Sequence, residues 1–393
     1  MSRHILWINE IAASLGGCES YVRNTAMALR GRGLRCTLLY NPLQAPEQAF
    51  LANFDAAFPI VELRAQVQDI GAKLCYVHRL SRPQLRALHG VAIPVLRFFH
   101  DHRLFCLREH KYRTLSQATC TQPLGPGCWS CLGMLKRSAS WPGVGLSSLS
   151  ALRAELEENK GLDGFVVASR YMAEHVALHG FSPERIHTIP LYAPTPPEAT
   201  EVPREQGLIV FVGQLIRGKG VDVLLDAMTR LDATARLHIV GSGAQEQALR
   251  EQVERLGLGQ RVRFLGPLYG DEKYRELRRA WVLAAPSRSP ETFGLMGVEA
   301  MSCATPVVAT QVGGMGEWLE DGVTGLSVPP NDAPALAEAL RSLLTQTERA
   351  RQMGEAAKRR YHERFRIEQH LDALQAVFDQ ALSRPQHAHR RPA

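Results

Sequence analysis

The sequence predicts an α/β protein of two lobes, each built on a parallel sheet covered by helices. Three observations predict it. Short apolar runs alternate with helical stretches along most of the chain, the pattern of strands that need cover on both faces. The alternation stops at LYAPTPPEATEVPREQG (191–207), which holds four prolines, and restarts after it. The length of 393 residues suits two domains of roughly 100–200 residues each.

In the first half, HILWIN (4–9) reads as a buried strand. A Gly-containing turn and a helix from about Ser20 to Arg30 follow, with Val22, Ala26 and Leu29 on one face. CTLLY (36–40), LCYV (74–77), VLRFF (95–99) and GFVVAS (164–169) are further strands. Residues 102–148 break the rhythm; they are rich in Cys, Gly, Pro, Ser and Trp and read as an irregular insertion. In the second half, LIVFVG (208–213), RLHIVG (236–241), VRFLG (262–266), WVLAAP (281–286) and TPVVAT (305–310) are strands separated by helical stretches. The expected organisation is a first domain at 1–190, a linker at 191–207, a second domain at 208–383 and a disordered tail at 384–393. Such folds bind ligands at the carboxyl ends of their strands, so a cleft between the lobes is the expected site.

Composition narrows the class. Hydrophobic residues make up 45% and charged residues 22%, which excludes a mainly disordered chain. No apolar run approaches the ~18 residues of a membrane-spanning helix. The start, MSRHILWINE, breaks its apolar stretch at Asn9 and Glu10, too early for a signal peptide, so the expected compartment is the cytoplasm. Residues 1–190 hold 21 basic and 14 acidic side chains, while 191–393 hold 25 of each, so the whole net charge of +7 lies in the first half. That asymmetry suits an acidic partner such as anionic lipid, polyphosphate or nucleic acid; an ordinary solvated surface is the alternative.

The most informative segment is PSRSPETFGLMGVEAMSCATPVVATQVGGMGEWLEDGVTGLSVPPND (286–332). Glu291 falls in a loop after a strand, Gly294 opens a helix, and Glu299 lies about one and a half turns inside it, an E-x7-E spacing. The free N–H groups at Gly294–Met296 make an anion site, and the flanking carboxylates can accept hydrogen bonds from hydroxyls. Phosphate beside hydroxyl acceptors suits a sugar nucleotide. Two glutamates eight residues apart arise often by chance; the surrounding Pro-Ser, Phe-Gly, Gly-Gly and Asp-Gly-x-x-Gly signals argue against chance.

With these motifs the chain resembles the retaining glycosyltransferases of family 4, whose GT-B fold is two Rossmann-like α/β domains facing across a cleft. FVGQLIRGKGVDVLLDA (211–227) looks like that family's first strand and phosphate loop, and IVGSGAQEQALREQVERLGLGQRVRFLG (239–266) matches as well. SLGGCESYVRNTAMAL (14–29) resembles its Gly-Gly loop and first helix. VVASRYMAEHV (166–176) and ERIHTIPLYAP (184–194) resemble the segment before its interdomain linker. The resemblance implies a retaining transferase that moves a sugar from a nucleoside diphosphate to a glycan, lipid-linked or small-molecule acceptor, in polysaccharide or glycoconjugate assembly. Glu291 would hold sugar hydroxyls and Glu299 the ribose. Lys219 and Arg217 would neutralise the diphosphate, with N–H donors from Gly294 and Leu295. Gly16 and Gly17 would let the first domain's backbone approach the phosphate, and His100 would lie near the reacting carbon. The family commonly carries Gly-Arg where this chain has Gly213–Gln214, so Arg217 is the expected replacement. No cofactor is expected in catalysis, since the family needs no metal and no Asp-x-Asp motif occurs. A family that often uses lipid-linked acceptors, with the basic first half, implies peripheral contact with anionic membrane at its inner face and no nucleic-acid partner.

Cys106, Cys120, Cys128 and Cys131 are spaced C-x13-C-x7-C-x2-C inside the insertion. Four thiolates with one C-x2-C pair can close a tetrahedral zinc site, structural because no position is left open. His102 and His110 are substitutes for a missing ligand, and four scattered reduced thiols are the alternative. A subset of the family carries a similar Cys-rich insertion after the His-Asp pair, here His100–Asp101. Cys18, Cys36, Cys75 and Cys303 fall in regular elements and read as buried small hydrophobes. The competing functions are a sugar-nucleotide epimerase on the same fold and, in a different class, a zinc-containing nucleic-acid-binding protein. The second leaves the E-x7-E block unexplained and lacks a basic-aromatic stacking pattern.

Overall fold

A computed structural model describes residues 3–13, 16–43, 45–113, 118–131, 133–137, 144–196 and 202–383. The chain divides into two compact units, one within residues 1–109, 122–189 and 368–393, the other within 110–121 and 190–367. The tail expected at 384–393 lies outside the described residues. No helix among the described residues is long and apolar enough to cross a membrane.

The first unit carries a seven-stranded parallel sheet. Its order is Ile186–Thr188, Gly164–Val167, Val95–Phe98, Leu74–Val77, His4–Asn9, Arg35–Tyr40, Ala56–Pro59. The second carries a six-stranded parallel sheet in the order Val262–Gly266, Arg236–Val240, Leu208–Val212, Val282–Ala285, Val307–Thr310, Gly325–Val328. Numbered along the chain within each sheet, both orders contain 3-2-1-4-5-6, the Rossmann arrangement. The chain reverses its winding between the first and fourth strands, the switch point at which sheets of this kind bind ligands.

Strands buried on both faces need unbroken apolar runs rather than alternation. His4–Asn9, Leu74–Val77, Val95–Phe98, Gly164–Val167, Val282–Ala285 and Val307–Thr310 are buried along their whole length. Around them the first unit's core gathers Leu6, Ile8, Val77, Phe99, Phe105 and Phe165. The second gathers Ile209, Phe211, Leu224, Leu237, Ile239 and Leu340.

The structure corrects the expected boundaries in three places. Helix Ile367–Ser383, placed by sequence in the second domain, packs with the first unit. Its buried face presents His370, Leu371, Leu374 and Phe378. His370 Nε2 hydrogen-bonds Tyr21 Oη at 2.8 Å, Asp372 pairs with Arg32 at 2.6 Å, and Phe378 meets the edge of Tyr76. The Pro-rich stretch, expected to be a linker, packs at both ends on the second unit. Tyr361 Oη donates to Ala193 O, and Arg204 donates to the carbonyls of Ala280, Cys303 and Ala304; residues 197–201 lie outside the described residues. The insertion is less irregular than expected. It contains two short antiparallel hairpins, Tyr112–Arg113 with Ala118–Thr119 and Leu135–Arg137 with Val144–Leu146. Leu104, Phe105, Leu107 and Leu124 anchor its flanking parts in the first unit's core, whereas residues 110–121, expected in the first domain, group with the second unit.

Candidate functional site

In the second unit the loops after the first and fourth strands are joined backbone to backbone. The first runs from Leu208–Val212 through a 3-10 turn, Arg217–Lys219, into helix Val221–Met228. The second leaves Val282–Ala285 and reaches helix Leu295–Ser302. Arg288 and Ser289 N–H groups donate to Gly218 O at 2.8 and 3.1 Å. Gly220 adopts φ +68°, and a Cβ there would lie 2.0 Å from Pro286 O, so only glycine allows this approach. Arg288 locks the joint: its guanidinium is buried, donates to both Asp222 oxygens at 2.7 and 2.6 Å, reaches Arg217 O at 3.1 Å and bonds Asn331 Oδ1.

This joint brings together two residues that lie 72 apart in sequence. Lys219 Nζ donates to Glu291 Oε1 at 2.7 Å, and Ser287 Oγ donates to the same oxygen at 2.7 Å. Gly313, at φ +64°, runs beside Glu291, where a Cβ would meet Glu291 O at 2.3 Å; the next N–H, of Gly314, donates to that carbonyl at 2.7 Å. The Gly-Gly of the motif therefore braces the backbone of the carboxylate that the motif presents.

Gly294 caps helix Leu295–Ser302, and Leu295 is its first residue. Trp318 Nε1 donates to Phe293 O at 2.7 Å, and its ring fills the space a Cβ at Gly297 would need. The E-x7-E spacing puts the second carboxylate inside this helix: Glu299 is buried and pairs through Oε1 with Lys273 Nζ at 2.6 Å. Each glutamate thus has its own lysine. Arg217 is exposed and forms no ion pair among the described residues, consistent with a cation presented to solvent rather than to the fold.

Gly16, Gly17 and His100 lie in the first unit. Gly16 caps helix Gly17–Gly31; a Cβ at Gly16 would lie 3.2 Å from Glu19 Oε2, whereas Gly17 faces open space. Glu19 is buried and pairs with Arg79 at 3.1 Å, and Arg79 reaches Asp101 at 3.6 Å. His100 follows strand Val95–Phe98, stacks on Phe98 with centroids 4.1 Å apart, and places Nε2 2.9 Å from His78 Nδ1. His78 in turn stacks on Trp7.

Burial pushes the His78 imidazole down to about 3, with Arg97 and Arg79 adding to the shift, and holds His100 well below 6.5 by burial and the His78 contact. Both rings are therefore neutral in the folded state at pH 7. Between pH 6.5 and about 3 the unfolded chain binds more protons than the folded one. Stability rises with pH in that window, by up to about 1.4 kcal/mol per pH unit for each histidine. Denaturant unfolding from pH 7 down to pH 4 is expected to show this loss, with a shallower slope in His78→Asn.

The four insertion cysteines do not come together as a metal-holding group. Among the described residues no three His, Cys, Asp or Glu side chains converge in that way. Cys131 Sγ donates to Cys128 O at 3.2 Å and Cys128 Sγ accepts from Gly125 N at 3.5 Å, so two of the thiols serve a local turn. His102 bonds Tyr171 Oη, and His110 Nδ1 accepts from Tyr112 N. Cys18, Cys36, Cys75 and Cys303 are buried.

Sequence reasoning overlooked Ser287, Arg288, Lys273 and His78. Ser287 and Arg288 sit inside the PSRSPE string, and that adjacency was the available signal; Lys273 and His78 have no motif to mark them.

Residues 195–360 match the family described as "Glycosyl transferases group 1". A D-inositol 3-phosphate glycosyltransferase 1 from Catenulispora acidiphila is 32% identical over 229 residues, 53% of this chain and 54% of that protein. A D-inositol 3-phosphate glycosyltransferase from Nocardia farcinica is 29% identical over 373 residues, 86% of this chain and 79% of that protein. The chain thus spans about half the length of the first relative. Among solved structures, Anabaena HepE in complex with UDP and glucose superposes with a TM-score of 0.73 at 19% identity, covering 96% of this chain and 100% of that one. On these grounds the chain has the GT-B fold, and its residues 195–360 match the group 1 glycosyltransferase family.

Proposed function

We propose that this chain transfers a sugar, with retention at the anomeric carbon, from a nucleoside diphosphate donor to a hydroxyl acceptor. The observation that carries the reading is the Lys219–Glu291 pair at the switch point of the second sheet, beside the N-terminus of helix Leu295–Ser302. Breaking a sugar–phosphate bond leaves an anionic diphosphate and an oxocarbenium-like sugar. Lys219, Arg217 and the N–H groups at Gly294 and Leu295 stabilise the leaving diphosphate with charge that is already in place. Glu291, held by Lys219 and Ser287, accepts hydrogen bonds from hydroxyls of the sugar, and Glu299 accepts one from the ribose. His100, neutral at pH 7, offers a hydrogen bond near the reacting carbon without adding a cation there. HepE, which shares the fold, holds UDP and glucose in its solved complex, and that supports a nucleotide-sugar donor. The acceptor class is a glycan, a lipid-linked glycan or a small molecule, and polysaccharide or glycoconjugate assembly is the process that such a transfer serves.

The test is a panel of UDP-, GDP- and ADP-sugars, reading release of nucleoside diphosphate with and without crude glycan or lipid acceptors. Release that depends on both one donor and an acceptor supports the reading. Epimerised sugar nucleotide with no acceptor present would contradict it, as would silence across the whole panel.

We also place the basic N-terminal half at an anionic membrane surface, on the strength of the +7 confined to residues 1–190. Vesicles with anionic lipid should sediment the protein at low salt and release it as salt rises, because exposed charges are screened beyond ~8 Å at physiological ionic strength. Equal binding to neutral and anionic vesicles would overturn this placement.

A further inference from the structure

We infer that Lys273 is a positioning residue of the donor site, fixing the Glu299 carboxylate in the orientation in which it receives a ribose hydroxyl. The inference rests on the proposed reading of Glu299 as the ribose acceptor and extends it to a residue on a different element. Lys273 lies on helix Gly270–Arg279, which follows the edge strand Val262–Gly266, whereas Glu299 lies on helix Leu295–Ser302 after the fourth strand. The two meet at 2.6 Å. The Glu299 side chain is only 9% exposed and that of Lys273 is 21% exposed, so water screens this pair far less than a surface pair.

The physical consequence is selective. A carboxylate offers two oxygens, each with acceptor capacity for more than one partner. Lys273 engages Oε1 and thereby orients the whole planar group, including Oε2. A glutamate side chain otherwise loses rotamer freedom when it engages a ligand. The Lys273 contact meets that entropy cost before the nucleotide arrives. The arrangement repeats the logic of the first glutamate, which Lys219 and Ser287 hold at 2.7 Å. It differs in purpose: Lys219 also faces the diphosphate in the proposed reading, whereas Lys273 acts through Glu299. Lys273 therefore bears on how well the site tells a ribose from a deoxyribose, and not on recognition of the phosphates.

The experiment compares UDP with 2′-deoxy-UDP and 3′-deoxy-UDP by equilibrium binding to the full-length protein, using the guanosine or adenosine set where the donor panel selects that base. Wild type should prefer the ribonucleotide over at least one deoxy analogue. In Lys273→Met that ratio should fall about tenfold, the effect of one lost hydrogen bond to a charged group, while affinity for the deoxy analogue stays within about threefold. Lys273→Arg, which can still donate to Oε1, should restore most of the ratio. Lys273→Gln is the alternative variant if Met in this half-buried position unfolds the protein. Equal loss of affinity for ribo and deoxy nucleotides would mean a purely structural role and would overturn the inference, as would an unchanged ratio. Glu299→Gln separates the two layers. If it abolishes the ratio while Lys273→Met does not, the positioning role fails and the ribose reading stands. If Glu299→Gln leaves the ratio intact, the ribose reading itself fails.

Discussion

Lys219→Ala and Glu291→Ala should each lower the transfer rate by about 100–1000-fold, the effect of removing one preorganised charge contact to a developing ion. The two residues act at different points. Lys219 meets charge that grows on the diphosphate as the bond breaks, so its loss should fall mainly on kcat. Glu291 holds sugar hydroxyls, so its loss should appear in kcat and in donor KM together. Each variant also leaves its partner without the 2.7 Å contact, and the double variant should therefore cost less than the product of the singles. Both carry half-buried side chains on loops fixed by Gly220, Arg288 and Gly313, and circular dichroism should show an intact fold. Activity within about threefold of wild type in both variants, on the same scale, would remove these residues from the mechanism.

Gly220→Ala should be the most damaging glycine change tested in this loop. The new Cβ would lie 2.0 Å from Pro286 O, a backbone atom that cannot swing aside, so the two loops must part. The positive φ adds a separate cost of about 1 kcal/mol. Forced separation in a packed region typically costs a further 1–3 kcal/mol. Gly257 supplies the control: it has the same φ of +68°, but its Cβ would meet nothing within 4 Å. Gly257→Ala should show the backbone cost alone. The excess loss of stability in Gly220→Ala, read by denaturant unfolding, measures the closeness of the loops. That excess should come with lost nucleotide binding, because parting the loops separates Lys219 from Glu291. Equal destabilisation by the two substitutions would show that the approach at Pro286 carries no weight.

The central strands were legible because a strand buried on both faces must be an apolar run, as LCYV, LIVFVG and TPVVAT are. Ala56–Pro59, Ile186–Thr188 and Gly325–Val328 were missed, and all three are edge strands. An edge strand needs cover on fewer sides, so AAFP, IHT and GLSV carry little apolar signal. The E-x7-E block was legible because its glycines are required by contacts that no other residue allows, Gly313 against Glu291 being the clearest. The helix at Ile367–Ser383 was legible as an element but not in its placement, since an amphipathic face does not state which sheet it covers. Lys273 was invisible for a related reason: a lysine on a helix is ordinary until a second helix sets Glu299 opposite it. The four cysteines are a different case. Their spacing allows a metal site, but no three such ligands converge among the described residues, and Phe105 in the same segment packs against Phe99 and Phe181, contacts that only the tertiary fold reveals.

The central claim is that the second unit's switch point holds the nucleoside diphosphate of a sugar donor. Calorimetric titration with the nucleoside diphosphate selected by the donor panel, on wild type and on Lys219→Ala, tests it most directly. The account predicts one saturable site in wild type and an affinity about 10–100-fold weaker in the variant, the range for one lost hydrogen bond to a charged group. No binding by wild type, or equal affinities in two folded proteins, would contradict it.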